Sequence, residues 1–495
     1  MAAIPRPPHA VVVSFPSQGH VNPLIAFAKL IAARGFFVTF VNTEWSERRM
    51  FRPPNDAKAV SCQLQQRGLQ IRFLSLPDGL PSAHPRVQAM CEYIQAMERL
   101  GPGIVRLLQS NANEAPPITC IVTDCFMACT HEISTALGVP RVVFWTLCAS
   151  AAIALSHSRL LLEKGYIPIN VKEARRLENQ ITCLPGNLPP MMPTDLLTFF
   201  RVQDASDALL QVLLYESDIM NRADYVLVNV FEELEGPEAV AGLSKGYPAL
   251  AIGPVFLPEF LEGTDSSVEI ATSLWEEDLD CLNWLDKQTP SSVLYVSFGS
   301  IAVISMAQLH ELALGLEASQ QPFLWVIRPD IAQGKAAVLP EGFPDRVKGR
   351  GMLVEWAPQL KVLSHPSVGA FLTHNGWNST SESISLGVPM IGWPLWAEQF
   401  HNCRFSKEIW KLGMDFESRA EDENVLVTRE EVEKVVRTMM EGPEAKELKK
   451  NAARMKDVAI KAARAGGSSY RNLDKFAQDM SPEQIPSSER GAASK

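Results

Sequence analysis

The chain has 495 residues, 46% hydrophobic and 21% charged, with a formal net charge of −10. A single hydrophobic core stops growing near about 250–300 residues, so two domains are expected. The acidic balance, with no clustered basic face, excludes a nucleic-acid groove, and the composition is that of an ordered globular protein with disorder only at the ends.

The N-terminus reads MAAIPRPPHA and enters the short run VVVSF, far too short for a signal peptide or a spanning helix, so a cytoplasmic location and no membrane span are expected. Short β-branched runs then alternate with segments of helical period, the pattern of parallel sheets wound with crossover helices. Strands are predicted at Ala10–Phe15, Phe37–Val41, Thr119–Thr123, Arg141–Phe144 and Tyr225–Val230, and Gly253-Pro254 closes the last strand of the first half. Between the first two lies NPLIAFAKLIAARG, with Leu24, Ala28 and Ile31 at helical spacing and Gly35 as the stop. An acidic, strand-poor stretch follows, and the alternation restarts with Val293–Phe298, Phe323–Ile327, Met352–Glu355, Val368–Leu372 and Pro389–Gly392. The expected organisation is an N-terminal Rossmann-like domain over 1–255, an acidic linker over 256–285, a second Rossmann-like domain over 286–480 and a polar, frayed tail over 481–495. Two such sheets facing each other would surround one cleft with their strand carboxyl ends. No G-x-G-x-x-G follows the first strand, which removes the main support for a dinucleotide redox enzyme.

The nine cysteines are scattered, odd in number and mostly among apolar neighbours, which suits reduced thiols. Cys120, Cys125 and Cys129 have no second ligand cluster to complete a zinc site, and no metal is expected. Asp278-Leu279-Asp280 has the form of a metal-holding D-x-D but precedes an expected helix, where its charges suit the dipole.

The segment from Trp356 to Gln399, WAPQLKVLSHPSVGAFLTHNGWNSTSESISLGVPMIGWPLWAEQ, resembles the 44-residue signature box of plant family 1 UDP-dependent glycosyltransferases. The likeness extends over nearly the whole chain, through GHVNP, VLYVSFGS and the late GGSSY. It implies a GT-B fold, two Rossmann-like domains facing across a cleft, and transfer of a sugar from a UDP-sugar to a small lipophilic acceptor. The residues agree with it. The strand Val368–Leu372 runs through Thr373-His374-Asn375-Gly376 into a helix, whose unpaired N–H groups and positive dipole end suit a diphosphate. Gly376 would permit close backbone approach, while His374, Asn378 and Ser379 can donate to phosphate oxygens. The resemblance gives these residues and Ser300 to the diphosphate, Glu382 to the ribose, Trp356 to stacking on uracil, and Ala357 and Gln359 to uracil or ribose. A capping box of Ser379 with Glu382 is the reading without a ligand. Trp377, Glu398 and Gln399 are implied to hold the sugar, and a terminal Gln goes with glucose. The family most often has Cys where this chain has Asn375, whose amide could contact phosphate or merely pack. Trp393 and Trp396 are taken as packing residues.

A general base is wanted for the acceptor hydroxyl, and His20 in SQGHVNP, on the loop after the first strand, is the candidate. Asp124 ends a strand in apolar CIVTDCF, where an unpaired carboxylate is costly, and would orient the imidazole and stabilise its cation; a helix N-cap is its alternative. The resemblance makes the two a catalytic dyad and gives Thr146 a sugar contact, though a buried threonine packing at a strand end reads nearly as well. The implied reaction is a metal-free single displacement with inversion by a monomer, with no cofactor beyond the UDP-sugar co-substrate. Acceptor contacts are expected after Pro77-Asp78-Gly79 and around residues 185–205, where the Met, Leu and Phe content suits a phenolic, flavonoid or terpenoid molecule or ordinary packing. Attachment to an aromatic carbon and a non-catalytic UDP-sugar-binding protein stay open as rivals. A glycoside hydrolase would want two flanking carboxylates, and no convincing pair is present.

Overall fold

A computed structural model describes residues 6–53, 56–169, 180–256, 258–261, 273–332, 337–418 and 425–482. The expected tail lies almost wholly outside these residues, as does the middle of the expected linker.

Seven strands make the first sheet: β1 (His9–Val13), β2 (Phe37–Thr43), β3 (Ile71–Leu76), β4 (Cys120–Asp124), β5 (Arg141–Trp145), β6 (Tyr225–Val228) and β7 (Ala249–Ala251). Their order is β3-β2-β1-β4-β5-β6-β7, with every pair parallel. β1, β4, β5 and β6 are buried along their whole length, which is why they read as unbroken apolar runs. β3 was not expected. Its four middle residues are only half-buried, so IRFLSL lacks that run. The second sheet contains β8 (Val293–Ser297), β9 (Phe323–Val326), β10 (Gly351–Val354), β11 (Val368–Thr373), β12 (Met390–Gly392) and β13 (Gly413–Asp415), in the order β10-β9-β8-β11-β12-β13 and again parallel. β7 and β13 were missed because three partly buried residues each do not read as an apolar run, whereas fully buried β12 does.

Each sheet winds outward in both directions from one seam, β1 beside β4 in the first and β8 beside β11 in the second. Crossovers leave such a seam on opposite faces, so the backbone opens at its carboxyl end. Register places Val13 opposite Thr123 and Ser297 opposite Thr373. The residues just beyond these pairs therefore emerge together, and they are Asp124 with the start of the β1 helix, and Gly299-Ser300 with His374.

The chain divides into two compact units. The first takes the chain up to Pro193, Phe199–Leu274 and everything from Ala462 on; the second takes Thr194–Thr198 and Trp275–Lys461. The closing helix Ser468–Asp479, expected in the second domain, thus groups with the first. Phe476 is the reason: its fully buried ring lies 5.9 Å from Phe27, 6.1 Å from Phe36 and 5.6 Å from Tyr225. Burying a phenylalanine is worth about 1.5–3 kcal/mol. Asn472 adds a hydrogen bond to the Ala251 carbonyl at 2.8 Å. In the second unit Leu294, Val296, Leu312, Leu316, Trp325 and Leu372 form the centre of the core.

Candidate active site

His20 does not sit on a loop as expected. The helix after β1 runs Gln18–Ala32, so His20 lies in its first turn. Its Nδ1 is 2.8 Å from Asp124 Oδ2, and the side chains are 18% and 0% exposed. The other carboxylate oxygen, Oδ1, accepts from the Phe126 N–H at 2.8 Å. Asp124 is therefore no helix N-cap, since the next helix begins at Thr130 with Cys129 in the cap position. Phe15 and Phe126 pack edge-on against the imidazole at 5.4 and 5.6 Å. With Nδ1 turned to the carboxylate and rings fixing the plane, Nε2 is the atom left for chemistry. Thr146 is buried, with its hydroxyl 3.3 Å from His20 Nδ1 and 3.7 Å from Cys125 Sγ.

Both stretches expected to contact the acceptor carry ion pairs. Asp78 is buried in an ion pair with Arg86 at 2.8 Å, and the Arg86 and Arg49 guanidiniums lie 4.5 and 3.9 Å from the Trp45 ring. Around residue 195, Met191, Leu196, Leu197 and Phe200 are buried, and Thr194–Thr198 belongs to the second unit, where Asp195 pairs with Arg404 at 2.7 Å.

In the second unit the helix Trp377–Leu386 has Gly376 as its N-cap with no side-chain cap. Ser379 and Glu382 therefore do not form a capping box, because Ser379 already stands inside the helix. They are joined instead by Gln359, whose Nε2 donates to Ser379 Oγ at 2.9 Å and to Glu382 Oε2 at 2.7 Å. Three residues expected at one nucleotide are thus brought together. Trp356 is half-buried, and Trp275 stacks on it at 5.4 Å and 20°, while Ala357 beside it is buried. Trp275 was missed, since nothing in the sequence ties it to the box. Asp280 opens a helix as expected, and the Asp278 carboxylate accepts its N–H at 2.9 Å.

Gly376 lies close against a ring. A Cβ there would meet His374 Nε2 at 2.7 Å, and one on Gly299, at φ +66°, would meet the same ring at 2.5 Å. The imidazole is clasped between two glycines, beside the turn that carries half-buried Ser300. Burial, and then the Arg328 charge, push its pKa down to about 3, so His374 stays neutral and keeps one N–H to donate. Arg328 was also missed. Fully buried, it donates to the Gly299 and Ala302 carbonyls and to Asp330, tying down the turn around Ser300.

Asn375 packs. It is fully buried at φ +59°, its Oδ1 lies against Gly392, and its carbonyl accepts from Asn402 Nδ2 at 2.9 Å. Asn tolerates this left-handed backbone better than most residues. The Trp377 indole is buried 6.0 Å from Trp410, so the part of Trp377 at the helix tip is its backbone. That N–H donates to Glu398 Oε1 at 3.0 Å, a carboxylate where the helix dipole favours one. Gln399 is buried, and its Oε1 accepts from the Leu395 and Trp396 N–H groups at 2.9 Å each. Half-buried Asn378 follows Trp377 in the first turn. Trp393 is packed between Phe298 and Phe416, as expected. All nine cysteines are free thiols, and among the described residues no helix is long and apolar enough to cross a membrane.

Residues 271–459 match the family model described as UDP-glucoronosyl and UDP-glucosyl transferase. The chain is 38% identical to UDP-glycosyltransferase 85A8 of Stevia rebaudiana, covering 96% of this chain and 97% of that one. It is also 38% identical to 7-deoxyloganetin glucosyltransferase of Gardenia jasminoides, covering 96% and 98%. Among solved structures, Phytolacca americana UGT2 complexed with UDP-2fluoro-glucose and pterostilbene superposes with a TM-score of 0.76 at 33% identity, covering 96% of this chain and 100% of that one. Two parallel Rossmann-like sheets and relatedness over almost the full length of these enzymes make the chain a GT-B UDP-glycosyltransferase of plant family 1.

Proposed function

We propose that the protein transfers glucose from UDP-glucose to a hydroxyl of a small lipophilic acceptor, with inversion at the anomeric carbon. The observation that carries the catalytic part is the 2.8 Å pair of His20 Nδ1 and buried Asp124. Asp124 holds the proton on Nδ1, so Nε2 can take the acceptor's hydroxyl proton while the oxygen attacks the anomeric carbon and the bond to UDP breaks. The imidazolium formed is stabilised by the buried carboxylate. The departing diphosphate is received by the N-terminus of helix Trp377–Leu386 together with neutral His374, Ser300, Asn378 and Ser379. Trp275 covers one face of Trp356, leaving the other for uracil, while Ala357, Gln359 and Glu382 serve uracil and ribose. Gln399 has its oxygen engaged twice, which directs its Nε2 toward sugar hydroxyls beside Glu398 and the Trp377 backbone; Thr146 is assigned a further sugar contact. A relative named for 7-deoxyloganetin and a neighbour holding pterostilbene support a small lipophilic acceptor.

His20→Ala abolishes transfer while UDP binding survives; intact turnover in this variant refutes the reading. Incubation with UDP-glucose and a panel of phenols and terpenoid alcohols, read by mass spectrometry, identifies the acceptor as a gain of one hexose.

A further inference from the structure

Nδ1 of His20 is surrounded by more donors than an orienting carboxylate requires. Asp124 Oδ2 lies 2.8 Å away, the Thr146 hydroxyl 3.3 Å away, and Cys125 Sγ 3.7 Å from that hydroxyl. The imidazole nitrogen, the carboxylate oxygen and the sulfur all lie within 4.8 Å of one another. An N/O/S set of this kind binds zinc-class cations, with bonds of about 2.0–2.3 Å and therefore ligand separations of about 3.3–3.8 Å in a tetrahedron. Nδ1 and Oδ2 need to part by roughly half an ångström and the sulfur to close in by at most about one, movements within the reach of side-chain rotation. The spacing hides the group from the sequence, because His20 stands 104 residues from Asp124.

We propose that His20, Asp124 and Cys125 form an inhibitory site for a thiophilic divalent cation of the zinc class; the inhibition, though not the binding, rests on the reading of His20 as the base. On binding, the Cys125 S–H bond breaks, its proton leaves to solvent, and the thiolate, the carboxylate and Nδ1 each donate an electron pair to the metal. The ring proton that Nδ1 gave to Asp124 moves to Nε2, so the imidazole stays neutral but loses the lone pair that would take the acceptor's proton. Two negative ligands on a divalent cation leave no net charge, which suits a site where Asp124 and Cys125 are at most 1% exposed. The partly exposed edge of His20 is the way in.

Cobalt(II) titrated into the chelator-treated full-length protein tests this. One saturable equivalent with a thiolate-to-cobalt charge-transfer band is expected, displaced by zinc, lost in Cys125→Ser and in His20→Gln, and kept in Cys62→Ser, which changes an exposed thiol. In the transfer assay, half-inhibition of Cys125→Ser, taken against its own metal-free rate, needs at least tenfold more zinc. A band of full strength in Cys125→Ser, or no saturable cobalt binding by the wild-type chain, overturns the proposal. His20→Gln gives the same test should Cys125→Ser fail to fold. If His20→Ala is inactive and cobalt does not bind, the base stands and the metal site falls; if His20→Ala stays active while the wild-type chain binds cobalt, the site stands and the base reading falls.

Discussion

Exchanging Asp124 for Asn separates the orienting role of the carboxylate from its bulk, because its two oxygens are committed to different partners. Oδ1 accepts from the Phe126 N–H and Oδ2 faces His20 Nδ1, both at 2.8 Å. An asparagine must place its single oxygen on the Phe126 N–H, since a backbone donor cannot be turned around. Its NH₂ then points at Nδ1, which accepts, so the ring proton is carried on Nε2. The base is lost although the side chain keeps its shape. A wrong tautomer costs about 10³–10⁴ in kcat, about 4–5.5 kcal/mol at 1.36 kcal/mol per decade. Asp124→Ala leaves the ring free to adopt either tautomer and loses only orientation and charge, roughly 10²-fold. The order Asn worse than Ala is therefore the diagnostic outcome. Steady-state transfer is measured for both variants, with UDP affinity by calorimetry, expected unchanged, as the control for intact folding. Asparagine within tenfold of wild type, or better than alanine, refutes the tautomer argument.

Gly299→Ala drives a methyl into the His374 ring from a backbone at φ +66°; UDP affinity falls at least tenfold by calorimetry, and unchanged affinity removes the ring from the diphosphate site. Arg328→Met strands the Gly299 and Ala302 carbonyls, at about 1–3 kcal/mol for each buried acceptor left bare. The urea midpoint drops, and KM for the UDP-sugar rises more than kcat falls; a changed kcat with constant KM contradicts the role given to that turn. Burial, and then the mutual repulsion of Glu98 and Glu216, raise the Glu216 carboxyl well above its ordinary range, and burial raises Glu98 as well. The folded chain then holds more protons than the unfolded one from the ordinary carboxyl pKa upward, so stability declines as pH rises through that window. Glu216→Gln flattens the decline in urea midpoints between pH 5 and 8, and parallel curves for the two proteins refute it.

The amino-acid sequence by itself determined the two parallel sheets, because buried central strands must be continuous apolar runs and their crossover helices must show a 3.6-residue period. It also marked the segment proposed to hold the nucleotide, where Trp356, Gln359, Ser379, Glu382 and Gln399 fall within 44 residues and a strand runs straight into a helix. Half-buried β3 and the short, partly buried β7 and β13 carried too little pattern to be found. Only tertiary structure could decide the rest, since strand pairing brings together residues that the chain holds far apart. The β1–β4 seam sets Asp124 on the imidazole of His20, and Arg328 and Gly299 meet around His374 through β8, β9 and β11. The closing helix follows the same logic, its Phe476 buried among Phe27, Phe36 and Tyr225, and no local periodicity announces which sheet a helix will cover.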